Sequence, residues 1–169
     1  MLFLCLFVDK TLKYISEELR EKQKMAMPND IIMAVTSENI EDVCKCVAWL
    51  GESEVAVSGH TAIIHHSQNT KYMTYYFHTE MFAAQKRRLA HGTKVIEVTP
   101  DKLADVVLPV PPIPVQAEIV RILDAFTELT DKLTAELAAR QKQYEYYRDK
   151  LLTFDNEEII PPPPEKSGN

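Results

Sequence analysis

Residues 114–154 read PVQAEIVRILDAFTELTDKLTAELAARQKQYEYYRDKLLTF, with no glycine and no proline after the first position. Positions 119, 123, 126, 130, 133, 137, 140, 144, 147 and 151 alternate steps of four and three. They hold Ile119, Leu123, Phe126, Thr130, Leu133, Leu137, Arg140, Tyr144, Tyr147 and Leu151. Eight of these ten, all but Thr130 and Arg140, serve as apolar knobs at coiled-coil spacing. Pro114 suits a helix N-terminus, where its missing N–H is no loss. At about 1.5 Å per residue such a helix is roughly 60 Å long, whereas a core of about 110 residues has a radius of gyration near 13 Å. The helix is therefore expected to project and to lay its stripe, from Ile119 to Leu151, against another helix. A helical hairpin folding back around 134–139 is the alternative; the alanines there favour a straight helix instead.

Outward from this stretch the chain divides into three zones: 1–112, 113–154 and 155–169. The last carries Pro161-Pro162-Pro163-Pro164 near its end and is expected to be disordered or extended. The first mixes short apolar runs with polar connections, which makes the chain α+β. Residues 11–24 carry helix formers and charges and are expected to form a helix. Residues 30–35 (DIIMAV), 44–50 (CKCVAWL), 55–57 and 61–65 read as strands. Residues 71–91 read as one amphipathic helix stopped by Gly92. Residues 94–98 and 106–110 read as two last short strands.

Composition narrows the function classes. Hydrophobic residues make up 46% and charged residues 26% of the 169, which suits a folded chain rather than a disordered one. No run of 18 apolar residues is present, so no membrane-spanning helix is expected. Residues 1–8 (MLFLCLFV) could pass for a secretory leader. They lack a basic flank and a cleavage signature, and Asp9-Lys10 follow at once, so a buried strand is the better reading. Cys5, Cys44 and Cys46 are too few for a disulfide scaffold, and free thiols in a cytoplasmic protein are expected. Neither G-x-G-x-x-G nor the P-loop pattern occurs.

Candidate chemistry is sparse. His65 and His66 are adjacent and, on a strand, would point to opposite faces. Cys44 and Cys46 would share a strand face, but no second pair completes a zinc set. Ser58-Gly59-His60 lacks the frame of a nucleophile elbow and is expected to be a tight turn whose glycine allows positive φ. Glu38, Glu41 and Asp42 lie in one loop with no partner base, and a solvated loop accounts for them. No catalytic residue and no metal or cofactor site is expected.

Against a net charge of −6, residues 82–94 hold Lys86, Arg87, Arg88 and Lys94 and no acid. This positive island could neutralise three or four phosphates. The alternative, and on composition alone the better account, is a solvated cationic end of the kind that a helix macrodipole favours.

Two stretches then carry a resemblance. Leu108-Pro109-Val110-Pro111-Pro112, followed by Gln116, Ile119-Val120 and Leu123-Asp124, resembles the entry to a conserved helix of type I restriction–modification specificity subunits. RQKQYEYYRDKLLTF, residues 140–154, resembles the end of that helix. Residues 28–35, 58–61 and 92–98 fit the C-terminal part of that family's target-recognition domain. Such a subunit carries two target-recognition domains, each reading half of a split site in double-stranded DNA. Two long helices pair as an antiparallel coiled coil that sets the spacing. A modification subunit that binds S-adenosylmethionine and methylates adenine docks on it, and a translocating restriction subunit joins.

The resemblance implies a non-catalytic chain whose fold is a partial target-recognition domain followed by one long projecting helix. S-adenosylmethionine, ATP and Mg are then expected only in the partner subunits. Lys86, Arg87, Arg88 and Lys94 would contact phosphates; Ser58, His60, Thr61, Gln68 and Asn69 would reach base edges. The chain departs from the pattern in having one long helix and at most one recognition domain, as a half-subunit or a truncated one would. A homodimer through the helix would restore the symmetry. The competing reading is a coiled-coil remnant that docks partner subunits without reading DNA.

Overall fold

The computed structural model describes residues 6–11 and 13–154. Of the expected strand over 1–8, residues 1–5 with Cys5 lie outside the described residues, as does the expected tail over 155–169. The elements run β1 (Phe7–Val8), α1 (Glu17–Arg20), β2 (Lys24–Ala26), β3 (Ile31–Ala34), β4 (Thr36–Ser37), β5 (Cys46–Trp49), β6 (Val55–Val57), β7 (Thr61–Ile64), α2 (Thr70–Tyr76), α3 (Glu80–Leu89), β8 (Ile96–Glu97), α4 (Pro100–Leu103) and α5 (Ile113–Leu152). The class is α+β. Contacts divide the chain into a unit ending at Arg121 and a second beginning at Ile122, inside α5.

The first unit is built on β3. Ile31 and Met33 are fully buried while Ile32 and Ala34 are half-buried, the two-residue period of a strand with one face in a core. β3 pairs antiparallel with β5 on one side and β7 on the other, and β1 adds parallel to β5, giving the order β1-β5-β3-β7. Two further antiparallel pairs, β2 with β6 and β4 with β8, form separate two-stranded sheets. The buried face meets Tyr72, Met73, Tyr76 and Phe77 of the α2 region and Phe82 of α3. The Phe77 and Phe82 rings lie edge to face at 5.0 Å, a favourable aromatic geometry.

Several expectations need correction. The helix over 11–24 shrinks to the four residues of α1, none of them buried, with Tyr14, Ile15 and Leu19 exposed. A helix without a packed face is marginal at that length, and Lys24 begins β2 instead. The single helix over 71–91 is two. The Thr79 hydroxyl donates to Tyr76 O at 2.7 Å and accepts from Phe82 N–H at 3.3 Å, so one side chain ends α2 and caps α3. Residues 106–110 form no strand. Their carbonyls accept from side chains: Val107 O from Tyr76 Oη and Gln85 Nε2, Pro109 O from Tyr72 Oη. Pro109 has no N–H to give a ladder. Cys44 sits in a turn at φ 60, outside β5, so it shares no strand face with Cys46. Gly59 does not have positive φ; among the described glycines Gly92 does, at φ 114.

The expected long helix is present as α5, unbroken through 134–139, which excludes the hairpin. Its entry is fixed by Gln116, which is fully buried. Gln116 Oε1 accepts from Asn69 N–H at 2.9 Å, and its Nε2 donates to Gln68 Oε1 at 2.8 Å and Pro111 O at 2.7 Å. Val120, one turn on, is buried in the core and Ile119 packs against it. Ile119, first of the residues expected for helix pairing, is half-buried and packs against the core of its own unit. Phe126, Leu133, Leu137, Tyr144, Tyr147 and Leu151 are exposed, and Leu123 is half-buried.

Gln116→Glu tests this anchor. A carboxylate cannot donate to Gln68 Oε1 and Pro111 O, so the variant is expected to lose on the order of 3 kcal/mol at neutral pH. Burial raises the folded carboxyl pKa above its unfolded value, so the loss shrinks at acid pH and grows as pH rises through the folded pKa. Urea unfolding of the variant against wild type at pH 5 and pH 8 checks the sign.

Candidate nucleic-acid interface

β3 runs through Val35 directly into β4, and Val35 is held from the chain on both its polar groups. Its N–H donates to His60 O at 3.1 Å, and its carbonyl accepts from Val98 N–H at 3.0 Å. The register pairs Ala34 with Thr61 and Thr36 with Glu97. Those pairs are two positions apart on one strand, about 7 Å. Two connections are thereby brought to the same end of the sheet: the turn 58–61 that leads into β7, and the loop 91–95 that leads into β8.

The turn is internally braced. Thr61 N–H and Thr61 Oγ1 both donate to Ser58 O, at 3.1 Å and 2.6 Å, and His60 N–H donates to Ser58 Oγ at 3.3 Å. Ser58 and His60 are exposed and Thr61 is half-buried. The loop is closed by two backbone hydrogen bonds exchanged between His91 and Glu97, at 3.0 Å and 2.8 Å. Gly92 is required there, because a Cβ would stand 1.9 Å from Val95 O, on top of the positive φ. Lys94 and Val95 are exposed on this loop.

The basic island divides. Lys86 points inward: its Nζ donates to Glu41 O at 3.1 Å and Val43 O at 2.9 Å. Burial pulls its pKa below the usual lysine value. Lys86 thus holds the 41–43 loop, and its ammonium is directed away from the exposed face. Arg87 is exposed and lies 3.4 Å from Glu80. Arg88 and Lys94 are exposed and, among the described residues, have no acidic partner. Gln68 and Asn69 also turn inward. Gln68 binds Gln116, and Asn69 Oδ1 accepts from Tyr72 N–H at 3.1 Å as the cap of α2. Of the nine residues expected to meet DNA, the sheet end gathers Ser58, His60, Thr61 and Lys94. Arg87 and Arg88 lie at the end of α3, while Lys86, Gln68 and Asn69 are structural.

Sequence reasoning missed Lys24 and Val95. Gly92 ahead of a basic and an apolar residue was a local signal for the loop. Lys24 had none, since its partners lie 35 and 37 residues away.

The other candidate groups are occupied structurally. Burial pushes the thiols up, Cys44 to about 11 and Cys46 to about 12, so both stay protonated at neutral pH. His65 Nδ1 lies 2.8 Å from Asp30 Oδ1, while His66 Nδ1 accepts from Gln68 N–H at 3.2 Å. Asp42 pairs with Lys45. Among the described residues, no three His, Cys, Asp or Glu side chains are grouped to hold a metal ion, and no helix is long and apolar enough to cross a membrane.

An α+β unit entering a 40-residue helix is the class that the fold defines. Residues 9–140 match the family model of the type I restriction modification DNA specificity domain. The chain belongs to that family. It is 33% identical over 170 residues to the EcoR124I/EcoR124II type I restriction enzyme specificity subunit of Escherichia coli, covering 90% of this chain and 39% of that protein. Over 72 residues it is 46% identical to a putative type I restriction enzyme specificity subunit of Haemophilus influenzae, covering 38% of this chain and 19% of the relative. The chain thus spans about two fifths or less of the length of these relatives. The crystal structure of a type I restriction–modification S subunit from M. genitalium shares the fold, with TM-score 0.50 and 16% identity over 90% of this chain and 39% of that one.

Charge removal separates the two kinds of cation. Lys86→Ala leaves two carbonyls without a donor and is expected to cost about 1–3 kcal/mol of stability. Arg88→Ala with Lys94→Ala is expected to leave stability within about 0.5 kcal/mol and to lower the salt slope of DNA binding by roughly 2. Thermal unfolding and a salt titration of duplex affinity measure the pair.

Proposed function

We propose that this chain is a DNA sequence-recognition component of a type I restriction–modification complex and directs adenine methylation and restriction by partner subunits. The observation that carries the reading is that Val35 is bonded both to the 58–61 turn, through His60 O, and to the chain just past β8, through Val98 N–H, which sets the 91–95 loop leading into β8 near that turn, in a chain of the specificity family. A braced turn and a closed basic loop at one sheet end suit a surface that approaches a duplex. Arg88 and Lys94, with Arg87, neutralise phosphates and position the domain. His60, Ser58 and Thr61 face the base edges. The chain itself is non-catalytic. S-adenosylmethionine, ATP and Mg serve the modification and restriction subunits, and the assembly works in the cytoplasm.

The exposed stripe of α5 is the docking element in this reading. Residues 113–136 carry five acidic and two basic side chains, and residues 137–154 carry four basic and two acidic. Two copies laid antiparallel set each acidic half beside a basic half, with Phe126, Leu133, Leu137, Tyr144, Tyr147 and Leu151 in the seam. A homodimer of this kind presents two reading heads.

Co-expression with a cognate modification subunit, followed by mapping of methylated adenines, tests the proposal. A bipartite, symmetric methylated site is expected. A stable complex that methylates nothing would leave α5 as a dock and contradict DNA reading. Leu133→Asp with Leu137→Asp is expected to abolish dimerisation in sedimentation velocity while the first unit stays folded, since both side chains are already exposed.

A further inference from the structure

Lys24 lies on β2, outside every motif that the functional reading uses, yet its ammonium is directed at the 58–61 turn. Lys24 Nζ donates to Gly59 O at 3.2 Å and to Thr61 O at 2.9 Å. β2 is itself locked to β6, the strand that enters the turn, through the pairs Lys24 with Val57 and Ala26 with Val55. The turn is therefore held from three sides: by Val35 through His60 O, by its own Ser58–Thr61 bonds, and by Lys24 across both ends of its tip. Charge-assisted bonds of this kind are stronger than neutral ones.

The bracing also decides which side chain is presented. The Ser58 hydroxyl accepts from His60 N–H, and the Thr61 hydroxyl donates to Ser58 O. The His60 ring is exposed and has no hydrogen-bond partner among the described residues. We infer that Lys24 is a positioning residue that fixes the 58–61 turn so that the His60 imidazole reads a base edge, and that Lys24 does not itself contact phosphate. This rests on the DNA-recognition reading above. An imidazole offers one donor and one acceptor in fixed geometry, and such a group discriminates only when its backbone is held.

The test uses the chain in complex with its modification subunit and a duplex selected from a random library, against a scrambled duplex. Lys24→Met is expected to lower the preference for the selected duplex roughly tenfold with the salt slope unchanged. His60→Ala is expected to do the same, and Lys24→Met on top of His60→Ala is expected to change the preference less than about twofold, since residues acting through one group are not additive. A slope lowered by about 1 with the preference intact would make Lys24 a phosphate contact and overturn the inference. So would an unchanged preference in His60→Ala. If the wild-type complex prefers no duplex at all, the recognition reading itself fails and takes this inference with it.

Discussion

Everything that makes the sheet end a candidate surface depends on two hydrogen bonds at Val35. Its N–H holds His60 O and its carbonyl holds Val98 N–H, so one strand residue ties together segments that are 38 residues apart in sequence. The first bond adds to the turn's own Ser58–Thr61 bonds, to the pairing of Thr61 with Ala34 and to Lys24. The second adds to the His91–Glu97 bonds and to the pairing of the two-residue β8 with β4. Short strands are individually weak, and shared anchoring on β3–β4 is what makes them rigid enough to present side chains.

A second constraint governs the passage from the sheet to the helix. Gln116 satisfies a backbone N–H, a side-chain amide and a carbonyl from one fully buried position. Buried polar groups are costly when unpaired, so this amide fixes the entry of α5 more sharply than the apolar contacts of Ile119 and Val120 alone would. The cost is that Gln68 and Asn69, polar and near the surface in sequence terms, are consumed by the joint. Beyond Arg121 the apolar side chains of the helix, from Phe126 to Leu151, are exposed, and the division of charge along it is the ground on which an antiparallel second copy is proposed.

The sequence was most legible where a long period repeats. The stepped apolar positions from 119 to 151 gave α5 almost to the residue, and the short apolar run in DIIMAV gave β3. It was least legible where one side chain overrides a run. Thr79 splits a helical pattern in two, and Tyr72, Tyr76 and Gln85 take the carbonyls of 107 and 109 away from a strand. The candidate site was half legible for a related reason. Charge and polarity can be counted along the chain, so Lys94, Ser58 and His60, which the structure leaves exposed at the sheet end, and Arg88, exposed at the end of α3, could be named as candidates. Direction cannot be counted: Lys86 turns inward to the carbonyls of Glu41 and Val43, Gln68 accepts from Gln116, the Asn69 side chain caps α2, and Lys24 reaches across to a turn some 35 residues on.

The 58–61 turn and the 91–95 loop are proposed to act as one DNA-reading surface, joined through Val35 and β8. Amide hydrogen exchange of the complex with the modification subunit, with and without a bound duplex, tests it most directly. Amides in both segments are expected to slow together on DNA binding, with the α5 amides beyond residue 122 unchanged. Protection confined to one segment, or to α5 alone, would contradict it.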